Sequence, residues 1–105
     1  MGAALVTEIE KRLEDLELVQ QLLVDIATGQ QPNVARTLLL YTPSEVRSVN
    51  AFMKWISQAK PQTWDDLVKE WVRRLPHRTT DDLAALWQAY RDDGLDGPVF
   101  QLRPN

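Results

Sequence analysis

The side chains that most often carry chemistry are few in this chain of 105 residues. There is no cysteine, which excludes disulfides, thiol nucleophiles, iron–sulfur clusters and zinc held by cysteine. His77 is the only histidine, and it stands between Pro76 and Arg78 with neither a nucleophile nor an orienting acid close to it in the sequence. We therefore expect no catalytic residue and a protein that is not an enzyme.

Adjacent aspartates are the other candidates for catalysis or metal binding, at 65/66, 81/82 and 92/93. Neighbouring residues of a helix point to different faces, so the two carboxylates of a pair do not converge on one ligand. The segment from Asp92 also fails as a calcium loop, because Gly94 and Arg103 occupy its third and twelfth positions, where oxygen ligands belong. A glycine-rich phosphate loop is absent as well. We expect no metal and no cofactor.

Helix start signals are the clearest local pattern. Thr42 is followed by Pro43 and, three residues on, by Glu45, which is a capping box with proline at the first helical position. The same logic applies at Thr7, Thr63 and Thr79, and stop signals follow at Gly29, Pro61, Pro76 and Gly94. These signals predict helices near residues 8–28, 34–41, 43–59, 64–75 and 80–93.

Apolar residues recur with helical spacing in these segments, and no segment alternates with the period of a strand over a useful length. The chain is the size of one domain. We predict an all-α fold, a compact bundle of four to five helices over residues 1–105. It has a long N-terminal helix, a short second helix, three further capped helices, a disordered lead at 1–6 and an irregular tail at 95–105.

The second half of the first helix is apolar around more than half of its circumference, with Leu18 and Leu22 among its residues. Such a helix must be surrounded. It is either the central helix of the domain, or one flank of it meets another chain. Three heptads are long enough for a coiled-coil dimer at that contact. Gln20 falls on the seam of such a dimer, however, and the apolar spacing slips there.

Charge is unevenly distributed along the chain. Six acids and two bases give −4 over residues 1–31, four acids and eight bases give +4 over 32–78, and five acids and two bases give −3 over 79–105. The densest basic cluster contains Arg73, Arg74 and Arg78, which either complement a helix C-terminus or contact an acidic partner. Trp55 lies away from the apolar stripe of its own helix, so it either meets a second buried face or anchors a partner.

We therefore predict a non-enzymatic helical protein–protein interaction module, acting as an adaptor, assembly factor or regulator. Its partner is another protein, itself, or both, with a homodimer as the self-associated form. The predicted contact residues are Leu18, Leu22, Trp55, Arg73, Arg74 and Arg78. No apolar run approaches the roughly 20 residues of a membrane span, so no membrane partner and a cytoplasmic location are expected.

The alternative is a small nucleic-acid-binding regulator that uses the basic segment 32–78. Nucleic acid is the less favoured partner because Asp65 and Asp66 would stand at the start of a recognition helix, facing phosphate. The sequence pI near 5.0 also supplies no overall attraction to a polyanion.

Overall fold

The computed structural model describes the backbone of residues 2–104 and the side chains of residues 5–104. Over this range it is an all-α bundle, as the sequence predicts. Its elements are α1 (Gly2–Thr28), α2 (Pro32–Leu38), α3 (Pro43–Ala59), α4 (Trp64–Arg74), α5 (Thr80–Asp92) and a short 3-10 helix (Pro98–Gln101). The tail predicted to be irregular therefore contains one helical turn. We call residues 32–104 the body.

Threonine caps set the starts of three helices, as predicted. Thr42 Oγ1 accepts from the Glu45 amide at 3.2 Å, and Glu45 Oε1 accepts from the Thr42 amide at 2.9 Å, which completes the capping box of α3. Thr79 makes the equivalent box at α5, and the Thr63 hydroxyl accepts from the Asp66 amide at α4. Each cap satisfies a backbone donor that the first turn leaves without a partner, which is why the predicted starts of these helices hold.

The start of α1 differs from the prediction. The helix begins at Gly2, so residues 2–6 are its first turns and Thr7 lies inside it rather than at its N-cap. Ala3, Ala4 and Leu5 are strong helix formers, and their propensity carries the helix through the threonine.

Three aromatic rings hold the body together. Phe52 of α3 meets the ring of Trp71 of α4 at 5.5 Å and the ring of Trp87 of α5 at 5.9 Å, both edge-on, and all three side chains are fully buried. The indole N–H of Trp71 donates to the Thr79 carbonyl at 3.0 Å, and that of Trp87 donates to the Val99 carbonyl at 2.9 Å. The core is thus apolar in its centre, and both indole N–H groups are satisfied at its edges.

A carboxylate from the end of α5 caps the short helix α2. Gln31, at the N-cap position, adopts a left-handed backbone conformation (φ 48°) and supplies no side-chain cap. Asp93 takes its place, because Oδ1 accepts from the Asn33 amide at 3.0 Å and Oδ2 accepts from the Val34 amide at 2.8 Å. The side-chain amide of Asn33 donates to the same carboxylate at 2.8 Å. This contact fixes α2, and α1 packs against α2.

We predict that Asp93→Ala lowers the free energy of unfolding by about 1–2 kcal/mol, the usual cost of losing a charged N-cap. Chemical denaturation followed by tryptophan fluorescence measures the change. Asp92→Ala is the matched control, since Asp92 accepts only from the exposed Gln88 side chain and its loss should cost less than about 0.5 kcal/mol. Equal effects of the two substitutions would contradict the capping role of Asp93.

Candidate functional site

The outer face of α1 carries most of the exposed apolar surface. Of the nine large hydrophobic side chains exposed among the described residues, seven belong to this helix, and each is 48–60% exposed. Five of them form one line along the helix, which we call the outward stripe: Val6, Ile9, Leu13, Leu16 and Leu23. The other two, Leu5 and Val24, flank it. Contiguous apolar surface of this kind marks interaction sites on soluble proteins.

The opposite face of α1 packs on the body. Leu22 is buried, and Leu18 and Ile26 lie half-buried against the same core. At about 100° per residue, the centre of these three positions lies about 150° from the centre of the outward stripe. Asp15 adds an ion pair to Arg47 of α3 on the body side. The helix is therefore covered on one face and open on the other.

This arrangement changes which leucines are available to a partner. Leu22 is 8% exposed within the chain's own core, and Leu18 lies beside it, so the surface that the helix presents is a different one from the predicted pair. The slip in apolar spacing at Gln20 arises because the helix has two separate apolar faces. Along the outward stripe the steps of three and four residues alternate without a slip, with Gln20 as its single polar position.

The N-terminal part of α1 extends beyond the body. All described side chains in residues 5–14 are exposed, and Asp15 is the first that is partly covered. The longest dimension of the molecule is 52 Å against 31 and 23 Å for the other two. Its radius of gyration is 15.3 Å, where a compact chain of this length has about 13 Å. Isolated helices of so few turns are marginal in water, so this segment lacks the packing that normally stabilises a helix.

Charged residues border the outward stripe asymmetrically. Glu10 and Glu17 follow one edge, and Arg12 lies on the other. Arg12 pairs within the helix to Glu8 at 3.4 Å, but both side chains are largely exposed and such a pair contributes little. An apolar groove of about 380 Å³ lies beside the stripe, where Leu16 and Val19 face Pro43 at the start of α3. Apolar centre and charged edges are the usual anatomy of a helix–helix interface.

The exposure of the stripe gives an order of magnitude for the free energy that this face can contribute to binding. Burying a leucine, isoleucine or valine side chain completely stabilises by about 1.5–3 kcal/mol. Each side chain of the stripe is already about half covered, so a partner would add roughly 1 kcal/mol at each position. Several such positions together are enough to offset a substantial part of the entropy lost on association.

Trp55 lies half-buried rather than fully exposed. Its ring stacks on Phe52 at 5.9 Å and packs against the core from the outside. It also lines a shallow cleft with Asp66, Lys69 and Glu70 of α4. Part of the ring is thus used by the fold, and its outer edge lies next to charged side chains.

Arg73 and Arg74 share one carboxylate of their own helix. Both guanidinium groups donate to Glu70, with Arg74 Nε at 2.6 Å from Oε2 and Arg73 Nε at 3.1 Å from Oε1. The hydrogen bond from Arg73 is the main reason why the pKa of the Glu70 carboxyl lies below its usual value. Glu70 therefore balances one of the two positive charges of Arg73 and Arg74 within α4.

Arg78 is engaged inside the fold. Its Nε donates to Glu45 Oε2 at 2.8 Å, and its Nη2 donates to the Leu40 carbonyl at 2.9 Å. The guanidinium carbon lies 3.8 Å above the centre of the Tyr41 ring. Arg78 thereby ties the loop before α5 to the start of α3, and its charge faces inward. Arg78 lies apart from the outward stripe, as do Trp55, Arg73 and Arg74.

The Arg78–Glu45 pair predicts a specific dependence of stability on pH. The hydrogen bond from Arg78, followed by that from the Thr42 amide, lowers the pKa of Glu45 to about 2. The carboxylate has an unfolded pKa of about 4.3, so its contribution is complete above that pH and is lost as the pH falls towards the folded value. Glu45→Gln should thus destabilise the protein by about 1–2 kcal/mol at neutral pH. The difference from wild type should shrink below about pH 4.3.

Urea unfolding at several pH values between about 7 and 2.5 measures this difference. Glutamine at position 45 still accepts from the Thr42 amide, so the substitution removes the charge and spares the cap. Glu14→Gln, at an exposed position of α1, is the matched control and should be neutral at every pH. A deficit in Glu45→Gln that is as large in acid as at neutral pH would contradict the ion-pair explanation.

Two further clefts lie on the described surface. One, of about 310 Å³, opens between α1 and the body and is lined by Gln21, Asp25, Asn50 and Tyr90 among others. Asn50 is exposed there. The other, of about 440 Å³ and mostly apolar, lies between the end of α3 and Phe100. Of the predicted contact residues, Leu18 and Leu22 line the cleft between α1 and the body. The cleft beside Phe100 is lined by none of them.

In the part of the chain that the structure describes, no three acidic or histidine side chains come close enough to hold a metal ion. None of the helices within residues 2–104 combines the length and apolarity that a membrane span requires.

No protein-family description, curated protein sequence or solved structure matches this chain.

Proposed function

We propose that this protein is a non-enzymatic helical interaction module, serving as an adaptor, assembly factor or regulator. The observation that carries the proposal is the outward stripe of α1. It places Val6, Ile9, Leu13, Leu16 and Leu23 on the face turned away from the body, each about half exposed. The module binds its partner with this face.

The shape of the stripe favours a helix as the partner. Its apolar positions alternate in steps of three and four residues, which is the spacing that packs knobs into holes of a facing helix. The stripe runs from Val6 to Leu23, a length of about 26 Å at 1.5 Å per residue. A convex helix of this kind has no pocket for a small molecule, whereas a second helix can follow it over its whole length.

The body serves as the support for this helix. Leu18, Leu22 and the Asp15–Arg47 pair hold the second half of α1 in a fixed direction. Before that support, the described side chains of residues 5–14 are exposed. Such a division separates stability, which the body supplies, from recognition, which the stripe supplies.

Substitution of the stripe tests the proposal. The double variant Leu13→Gln/Leu16→Gln keeps helix propensity and removes two exposed side chains, so it should fold as stably as the wild type. Tagged full-length protein, expressed in its native host, is captured with and without the substitutions. We expect the variant to lose the protein that the wild type retains, with at least a tenfold drop in recovery for about 1.4 kcal/mol of lost contact.

Lys11→Gln/Glu14→Gln is the matched control, since both residues lie on α1 outside the stripe and the pair leaves the net charge unchanged. It should retain what the wild type retains. Recovery of the same protein by Leu13→Gln/Leu16→Gln at wild-type yield would refute the assignment of the stripe as the binding face.

A further inference from the structure

We propose that the helix which binds the outward stripe is α1 of a second copy of this chain. The two helices pair in parallel and in register as a two-stranded coiled coil. This inference rests on the proposed function, since it assigns an occupant to the same face. The assignment comes from the order of residues along that face and from the charges at its two edges.

The stripe has the heptad order of a coiled coil. If Val6 is position a, the a positions are Val6, Leu13 and Gln20, and the d positions are Ile9, Leu16 and Leu23. Leucine at d and a β-branched residue at a are preferred in parallel two-stranded coils. Val6, Leu16 and Leu23 follow that preference, whereas Leu13 at a and Ile9 at d do not. Nearly three heptads are present, which suits a reversible dimer.

The edge charges complement each other between two copies of this chain. In the same register, Arg12 is at position g, and Glu10 and Glu17 are at position e. A parallel pair brings g of one helix next to e of the following heptad in the other helix, so Arg12 of each copy meets Glu17 of the other copy. An antiparallel pair brings e next to e and opposes the glutamates. The charges therefore select the parallel orientation.

Gln20 selects the register. In a parallel pair with the helices aligned, position a faces position a, and Gln20 meets Gln20 of the second copy. The two amides can then donate to and accept from each other, as polar residues at a single a position do in two-stranded coils. Any shifted or antiparallel arrangement places Gln20 against an apolar residue, where its amide would lose its hydrogen bonds with water.

The main contact of α1 with the body lies away from the stripe. The body covers the face that contains Leu18 and Leu22, on the far side of α1 from the stripe. Two copies can approach stripe to stripe with their bodies on the outside. Val19, at position g beside the groove with Pro43, then meets Val24 of the second copy and extends the apolar contact. The overhanging residues 5–14 gain the packing that they lack in a single copy.

The test begins with the mass of the purified full chain. Sedimentation equilibrium from about 1 to 200 µM should give a reversible monomer–dimer equilibrium, with a dissociation constant in the micromolar range. Leu13→Gln/Leu16→Gln should weaken the dimer at least about tenfold, and Lys11→Gln/Glu14→Gln should leave it unchanged. Circular dichroism keeps track of folding in each variant.

Charge reversal then tests the pairing between copies. In the Arg12→Glu variant, the new glutamate faces Glu17 of the other copy. In the Glu17→Arg variant, the new arginine faces Arg12 of the other copy. Each variant should therefore dimerise about tenfold more weakly than wild type. An equimolar mixture of the two variants should recover the dimer, because each chain then offers the charge that the other needs. Positions 12 and 17 lie about 140° apart around one helix, so the recovery cannot arise within a chain. Glu8→Gln controls for loss of the exposed Arg12–Glu8 pair.

Disulfide formation tests orientation and register. The chain has no cysteine, so Gln20→Cys introduces one thiol. It should cross-link the parallel, aligned dimer on mild oxidation, whereas Glu14→Cys, outside the contact, should not. A dimer that fails to cross-link through position 20 overturns the parallel arrangement and leaves the stripe as the binding face.

The remaining outcomes separate this inference from the proposed function. A wild type that stays monomeric to about 200 µM, or that forms trimers, overturns the second copy as a two-stranded partner. The proposed function survives a monomeric result if Leu13→Gln/Leu16→Gln still loses its captured protein. A dimer unaffected by Leu13→Gln/Leu16→Gln places self-association on another surface and overturns this inference. The proposed function is then still decided by the capture experiment.

Discussion

The edge-on contacts of Phe52 with Trp71 and Trp87 are the interaction on which the rest of the structure depends. They join α3, α4 and α5 at one point, at ring separations of 5.5 and 5.9 Å. Because both indole N–H groups donate to carbonyls of the following loops, the same rings also fix the chain before α5 and the tail after it. The core is therefore complete without the first turns of α1.

This completeness explains the division of α1 into two parts. The described side chains of residues 5–14 are all exposed, so the body does not cover the whole of a helix of 27 residues, which is about 40 Å long. Leu22 reaches the core and Leu18 packs at its edge, whereas the side chains of the stripe on the other side stay about half exposed. Elsewhere in the described chain, just Leu40 and Val72 are comparably exposed; Leu40 lies in the turn after α2 and Val72 lies on α4. Apolar surface without a partner is thus concentrated in one line.

Local signals made most of the fold predictable. A threonine cap and its carboxylate lie three residues apart, so the starts of α3, α4 and α5 follow from the sequence. The contacts that the sequence did not reveal join distant residues. Asp93 caps α2 from 60 residues away, and Arg78 binds Glu45 across 33 residues. The same applies to α1, since helical periodicity identifies its apolar residues but cannot say which of two apolar faces the body occupies.

The charged residues of the body and those beside the stripe also differ in how they are paired. The basic middle segment is balanced in part within the fold, where Arg47 pairs with Asp15 and Arg78 pairs with Glu45. Arg12 and Glu17 lie at opposite edges of the stripe, and within one chain Arg12 pairs with the exposed Glu8 of its own helix. In the assembly proposed here, a second copy both neutralises them and orders the overhanging turns. Part of the contact energy then goes into that ordering, which keeps the association reversible.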